Sequence, residues 1–130
     1  IFLVCISTDI GGYFFGKLFK GHKLTKISPN KTYSGMIGGY LLSLIFLSLF
    51  LNWINHPVNV EWLIITILIS TVSQIGDIII SFFKRISKIK DTGKIIPGHG
   101  GLLDRIDGMI FAFPISYILL SISFFENALK

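Results

Sequence analysis

Charged residues are missing from long stretches of this chain. Residues 32–55 hold no Asp, Glu, Lys or Arg over 24 positions, residues 62–83 hold one, Asp77, over 22, and residues 108–125 hold none over 18. A helix needs about 20 predominantly apolar residues to cross a bilayer, so each run predicts a membrane-spanning helix. Residues 1–16 are also apolar apart from Asp9. At a rise of about 1.5 Å per residue they reach about 24 Å. That is short of a hydrocarbon core about 30 Å thick, so this segment reads as the remainder of a longer helix. The expected fold is all-α: a polytopic integral membrane helix bundle. It has three full spans plus a partial N-terminal helix, with polar loops at 17–31 and 84–107, forming a single domain over 1–130.

Composition supports the membrane class. Hydrophobic residues make up 52% of the 130, and charged residues only 15%, against about 25% in ordinary soluble domains. Mean hydropathy is +0.72. A disordered chain needs the opposite balance. The single cysteine, Cys5, excludes an intramolecular disulfide and a Cys-based zinc site. The chain opens on Ile1, which reads as a fragment or processed product. A secretory signal peptide is a poor fit to the first segment, which lacks a basic start and a small-residue cleavage site.

The charges that remain are concentrated. Loop 17–31 carries Lys17, Lys20, Lys23, Lys26 and Lys31 and no acid. Loop 84–107 carries Lys84, Arg85, Lys88, Lys90, Lys94 and Arg105 beside Asp91, Asp104 and Asp107. Positive loops stay cytoplasmic. The two loops are two crossings apart, so both fall on that side. Trp53, Trp62 and Tyr33 sit near span ends, where interfacial aromatics are expected. Basic loops beside spans account for the net charge of +5 without a nucleic-acid partner.

Two acids lie where a bilayer would penalise them. An ionisable residue inside a span costs at least about 2.5 kcal/mol on insertion scales and by default marks a functional site. Asp77 shares a helical face with Ser70, Ser73, Gln74, Ser81 and Lys84, at offsets of three, four and seven residues. Asp9 has a similar setting, eight residues before Lys17. The bland reading of the stripe is a hydrogen-bonded helix seam, with Asp77 paired to Lys84 or Lys17. The functional reading is a pair of carboxylates sharing a cation. Such oxygen ligands suit Mg²⁺, which keeps waters and is often completed by substrate phosphates, with a second cation also accommodated. In the second loop, Gly98, Gly100 and Gly101 flank His99. A glycine-rich backbone can approach a phosphate and offer its N–H groups. Asp104 and Asp107 follow at i and i+3, which ordinary helix capping would also explain. Carboxylates, cations and a Gly-rich loop facing one side suit phosphoryl-group chemistry. The alternative is a cation-coupled membrane transporter or channel subunit using Asp77 and Asp9.

Over 81–107, Ser81-Phe82-Phe83-Lys84-Arg85, Lys90-Asp91, Pro97-Gly98-His99-Gly100-Gly101 and Asp104-Arg105-Ile106-Asp107 resemble the signature of the phosphatidate cytidylyltransferase family. These are membrane enzymes that make CDP-diacylglycerol. Asp9-Ile10-Gly11-Gly12-Tyr13, Ser28-Pro29-Asn30-Lys31-Thr32 and Gly76-Asp77 resemble further motifs of the same family, in its C-terminal portion. Ser34 and Ile80 stand where relatives often carry Glu. The resemblance implies a nucleotidyltransferase of phospholipid biosynthesis that joins CTP and phosphatidate and releases pyrophosphate. It implies catalytic roles for Asp77, Lys84, Asp104 and Asp107. Ser28, Lys31, Arg85, Gly98, His99, Gly100, Gly101 and Arg105 are then candidates for substrate binding, and Asp77, Asp104, Asp107 and Asp9 for Mg²⁺. The implied setting is a bacterial inner membrane with the active site on the cytoplasmic side. CTP, phosphatidate, membrane lipids and a second copy in a homodimer are the implied partners.

Overall fold

The computed structural model of the chain describes residues 1–24, 31–88 and 103–128, with the side chains of 103–105 and 122–128 left undescribed. Four helices follow one another: α1 (Phe2–Phe19), α2 (Tyr33–Trp53), α3 (Val60–Ile86) and α4 (Leu103–Ala128). The first three are long and apolar enough to cross a membrane. α1 differs from the short segment expected. It runs past the apolar stretch through Lys17 to Phe19 and reaches 18 residues. It ends on Lys20 in the left-handed region, with φ 44°, just before Gly21. α4 contains the whole of 108–125, carries Pro114 inside it and extends over 26 residues.

Paired contacts set the directions. Gly16 packs near Gly35, while Gly11 packs on Gly38 and Gly39, so α1 and α2 are antiparallel. Met36 meets Gln74, and Tyr40 meets Thr71, so α2 and α3 are antiparallel as well. The C-terminal ends of α1 and α3 and the N-terminal ends of α2 and α4 therefore lie at one end of the bundle. This is the end that the charge count assigns to both polar loops.

The packing is inside-out relative to a soluble domain. Beside a small apolar cluster of Val4, Cys5, Ile69, Met109 and Ala112, the most enclosed side chains are small or carry hydroxyls: Thr8, Ser43, Thr66, Ser70, Ser73 and Ser116 are almost fully buried. Phe14, Leu49, Phe83 and Ile118 face outward. Lipid tails are as apolar as Leu, so helices in a membrane associate through close packing of small residues and through hydrogen bonds. The α1–α2 seam shows this best. A β-carbon at Gly11 would fall 2.5 Å from Gly38 O, and one at Gly35 would fall 2.5 Å from Gly12 O. Only hydrogen fits at either place. Hydroxyls tie α3 to the pair. Thr8 Oγ1 and Ser70 Oγ share a hydrogen bond of 2.9 Å. Thr71 Oγ1 donates to Ile67 O at 2.7 Å, so Tyr40 O–H is the donor in its 2.9 Å contact with Thr71.

Candidate functional site

A cavity of about 400 Å³ opens among the helices, walled by Asp9 of α1, Lys31 and Thr32 ahead of α2, Gln74, Asp77 and Ser81 of α3, and Asp107 of α4. Its walls thus come from all four helices. They lie toward the end of the bundle that bears the two polar loops. The stripe read from helical spacing is real. Ser70 and Ser73 are buried in the seam, Gln74, Asp77 and Ser81 line the cavity, and Ile75, Phe82 and Phe83 face outward.

Local structure explains how Lys31 arrives there. After α1 the chain returns in a short antiparallel bridge between Lys23 and Thr32. Leu24 N–H donates to Lys31 O at 2.7 Å, and Tyr33 N–H to His22 O at 3.1 Å. Thr32 is the N-cap of α2, its hydroxyl accepting from Gly35 N–H at 3.1 Å, which satisfies one of the unpaired donors at the helix start. Ser34 adds a fastening: its hydroxyl lies 3.1 Å from Thr32 Oγ1 and accepts from Gly21 N–H at 3.3 Å. A Glu carboxylate at this position would be a larger, charged group against Gly21, where a β-carbon would already lie 2.8 Å from Ser34 Oγ.

Among the described residues, two ion pairs involve carboxylates of the cavity wall. Lys31 Nζ lies 3.0 Å from Asp77 Oδ2. Lys84 Nζ lies 3.3 Å from Asp107 Oδ2. The Asp77 partner is therefore Lys31, not Lys84 or Lys17 as the seam reading had it. The bridge beside α2 reaches Asp77 from the loop side, whereas Lys84 turns to the start of α4 and Lys17 lies over the Tyr13 ring, 5.7 Å from its centroid. Asp107 is also oriented by Gly108 N–H, which donates to Oδ1 at 3.1 Å.

The other expected site residues divide. Asp9 joins Asp77 and Asp107 on the cavity wall. Arg85 is exposed in the last turn of α3 and is not among the described wall residues. Asp104 and Arg105 lie in the first turn of α4, with their side chains outside the description. Ser28, Gly98, His99, Gly100 and Gly101 lie outside the described residues. Gln74 Nε2 donates to Met36 O at 3.4 Å, which ties α3 to α2 as the seam reading expects, and Gln74 also lines the cavity. Two features escaped the sequence reading. Tyr13 is a further wall residue. Gly108 presses so closely on α3 that a β-carbon there would lie 2.7 Å from Ser73 Oγ.

Among the described residues, no three His, Cys, Asp or Glu side chains are grouped to hold a metal ion by themselves. The donor set suits a different kind of site. Three carboxylates face one open cavity, and two of them carry a lysine each. A cation such as Mg²⁺, bound through one or two carboxylates and completed by substrate oxygens, fits this set.

The chain matches the family model described as the cytidylyltransferase family over residues 1–123. It is 48% identical over 122 residues to a phosphatidate cytidylyltransferase of Staphylococcus haemolyticus, covering 92% of this chain and 46% of the relative. The corresponding Staphylococcus aureus protein is 46% identical and that of Staphylococcus epidermidis 44%, each with the same coverage. The chain thus spans a little under half the length of the curated relatives it matches.

Proposed function

The chain belongs to the cytidylyltransferase family, and from that premise we propose that the whole protein joins CTP to phosphatidate, giving CDP-diacylglycerol and pyrophosphate in a Mg²⁺-dependent reaction. The observation that carries this reading is the meeting of Asp9, Asp77, Asp107 and Lys31 around one cavity at the loop end of a membrane bundle. An anion such as a triphosphate needs cations there, and the carboxylates need a cation to tolerate it.

The chemistry asks little of a general base. A phosphate monoester is largely ionised at neutral pH, its second pKa being about 6. The phosphate oxygen of phosphatidate is therefore nucleophilic as it arrives. It attacks the α-phosphorus of CTP, a P–O bond forms, and the bond to the β-phosphate oxygen breaks to release pyrophosphate. The obstacle is bringing two anions together, so positioning and charge neutralisation carry the catalysis. Lys31 and Lys84 are the nearest described cations to the cavity carboxylates. They hold phosphate oxygens during approach and departure. Asp77 and Asp107, with Asp104 and Asp9 as further donors, would hold Mg²⁺, which when bound neutralises charge on the phosphate oxygens. Ser28, His99, the glycines 98, 100 and 101, Arg85 and Arg105 are the remaining candidates for contacts to the substrates. The cavity sits between helices near one membrane face. A lipid can then enter sideways from the bilayer while the nucleotide comes from the cytoplasmic side of what we take to be a bacterial inner membrane.

The test is direct. Full-length protein in detergent is mixed with phosphatidate, Mg²⁺ and CTP labelled at the α-phosphate. Label should move into the organic phase as CDP-diacylglycerol, and only when phosphatidate is present. No organic-phase label from folded, full-length protein would refute the proposal.

A further inference from the structure

Lys31 is held in an unusual way. Its Nζ is buried against the cavity. Among the described residues, its ion-pair partner is a single carboxylate oxygen, Asp77 Oδ2 at 3.0 Å. An ammonium carries three donors, so this one is left under-satisfied. A single carboxylate oxygen can be replaced by a set of phosphate oxygens that engages more of the three donors. The backbone beneath it is fixed, by the Leu24–Lys31 hydrogen bond on one side and the Thr32 cap on the other. The side chain can therefore change partners by rotating about its own bonds while α2 stays in place. Lys31 and Asp77 share the cavity wall with Asp9 and Asp107, so a ligand in that space borders both members of the pair.

We propose that Lys31 is an exchangeable counter-ion: it neutralises Asp77 in the ligand-free protein and transfers to the phosphate oxygens of a bound polyphosphate when a divalent cation takes its place on Asp77. The proposal rests on the reading of the cavity as a nucleotide site. It adds a coupling that the reading does not contain. Each ligand releases the group that the other needs, so cation and polyphosphate favour each other's binding, and by linkage they do so reciprocally. Without the exchange, Asp77 would repel an incoming polyphosphate before the cation arrived.

The exchange makes a counter-intuitive forecast for metal-free binding. Inorganic tripolyphosphate is titrated calorimetrically into full-length protein in detergent with EDTA present. Asp77→Asn frees Lys31 and should tighten tripolyphosphate binding about tenfold, the scale of one charge-assisted contact. Adding Lys31→Met to Asp77→Asn should remove the gain. Asp9→Asn deletes a negative charge from the same cavity without freeing Lys31, and should tighten binding by much less. An Asp77→Asn gain that survives Lys31→Met, an equal gain in Asp9→Asn, or no gain at all would overturn the exchange. A second measurement needs no variant: Mn²⁺ should speed acylation of the Lys31 amine, read by peptide mass spectrometry, and an unchanged or slower rate would overturn it too. Product formation tests the nucleotide reading, and these binding and labelling outcomes test the exchange, so the two fail separately.

Discussion

A β-carbon on Gly108 would lie 2.5 Å from Asp77 Oδ1. The start of α4 is therefore built directly against a carboxylate of the cavity wall, with Gly76 of α3 packed on Phe111 and on Gly108 O in the same crossing. The neighbouring atoms at Gly108 include Ser73 O at 2.8 Å, which is backbone and cannot swing aside. The absence of a side chain at 108 is what lets Asp107, one residue earlier, face Asp77 across the cavity.

Gly108→Ala should therefore impair the site as well as the packing. Overfilling a close-packed contact costs about 1–3 kcal/mol, and here relief comes by pushing Asp77 or α4 aside. The expected result is a lower melting temperature in detergent together with a fall in turnover larger than the loss of folded protein explains. Full specific activity in the folded fraction would show that Asp77 does not depend on this crossing.

The α1–α2 seam makes a paired forecast. Gly11→Ala puts a methyl 2.5 Å from Gly38 O, whereas the nearest atom to a methyl at Gly12 is Gly35 O at 3.8 Å. Thermal melts should show Gly11→Ala destabilised by about 1–3 kcal/mol. Gly12→Ala should stay within about 0.5 kcal/mol of the parent, as neutral substitutions do. Equal effects at both positions would contradict the seam geometry.

The Lys84–Asp107 pair invites a double-mutant cycle. Both side chains are largely enclosed, at 13% and 16% exposure, so removing Lys84 leaves Asp107 short of a partner. Breaking a buried pair can cost 3–5 kcal/mol. With this partial exposure and Lys84's further interaction, about 1–3 kcal/mol is expected for Lys84→Met. Adding Asp107→Asn should restore part of that stability without restoring turnover. A strictly additive cycle would indicate that the pair contributes no coupling.

Much of this arrangement is legible in the sequence. Charge-free runs predict the helices, and helical spacing puts Ser70, Ser73, Gln74 and Asp77 on one face, because both features depend only on local periodicity. The acid–base pairing is not legible in the same way. Lys31 and Asp77 are 46 positions apart, and their contact depends on how the chain folds back between Lys23 and Thr32, which no periodicity encodes. Helical spacing favours Lys84 as the partner of Asp77 since both lie on one face of α3. The start of α4 diverts that lysine to Asp107. The glycine seam had a signal in the four-residue spacing of Gly12 and Gly16 and of Gly35 and Gly39, the small-residue pattern of close helix contacts in membranes. Gly108 had none, because a single glycine at the start of an apolar run reads as an ordinary helix entry.

If the cavity carboxylates serve cytidylyl transfer, replacing Asp77 should stop it. The measurement is CDP-diacylglycerol formation from α-labelled CTP and phosphatidate with Mg²⁺, by full-length wild-type and Asp77→Asn proteins of equal melting temperature. Product is expected from the wild type, with its loss on chelation by EDTA and a fall of roughly 10²–10³-fold or more in Asp77→Asn, the range for removing one preorganised charge-stabilising group. Turnover by Asp77→Asn within a few-fold of the wild type would contradict that role of the cavity carboxylates.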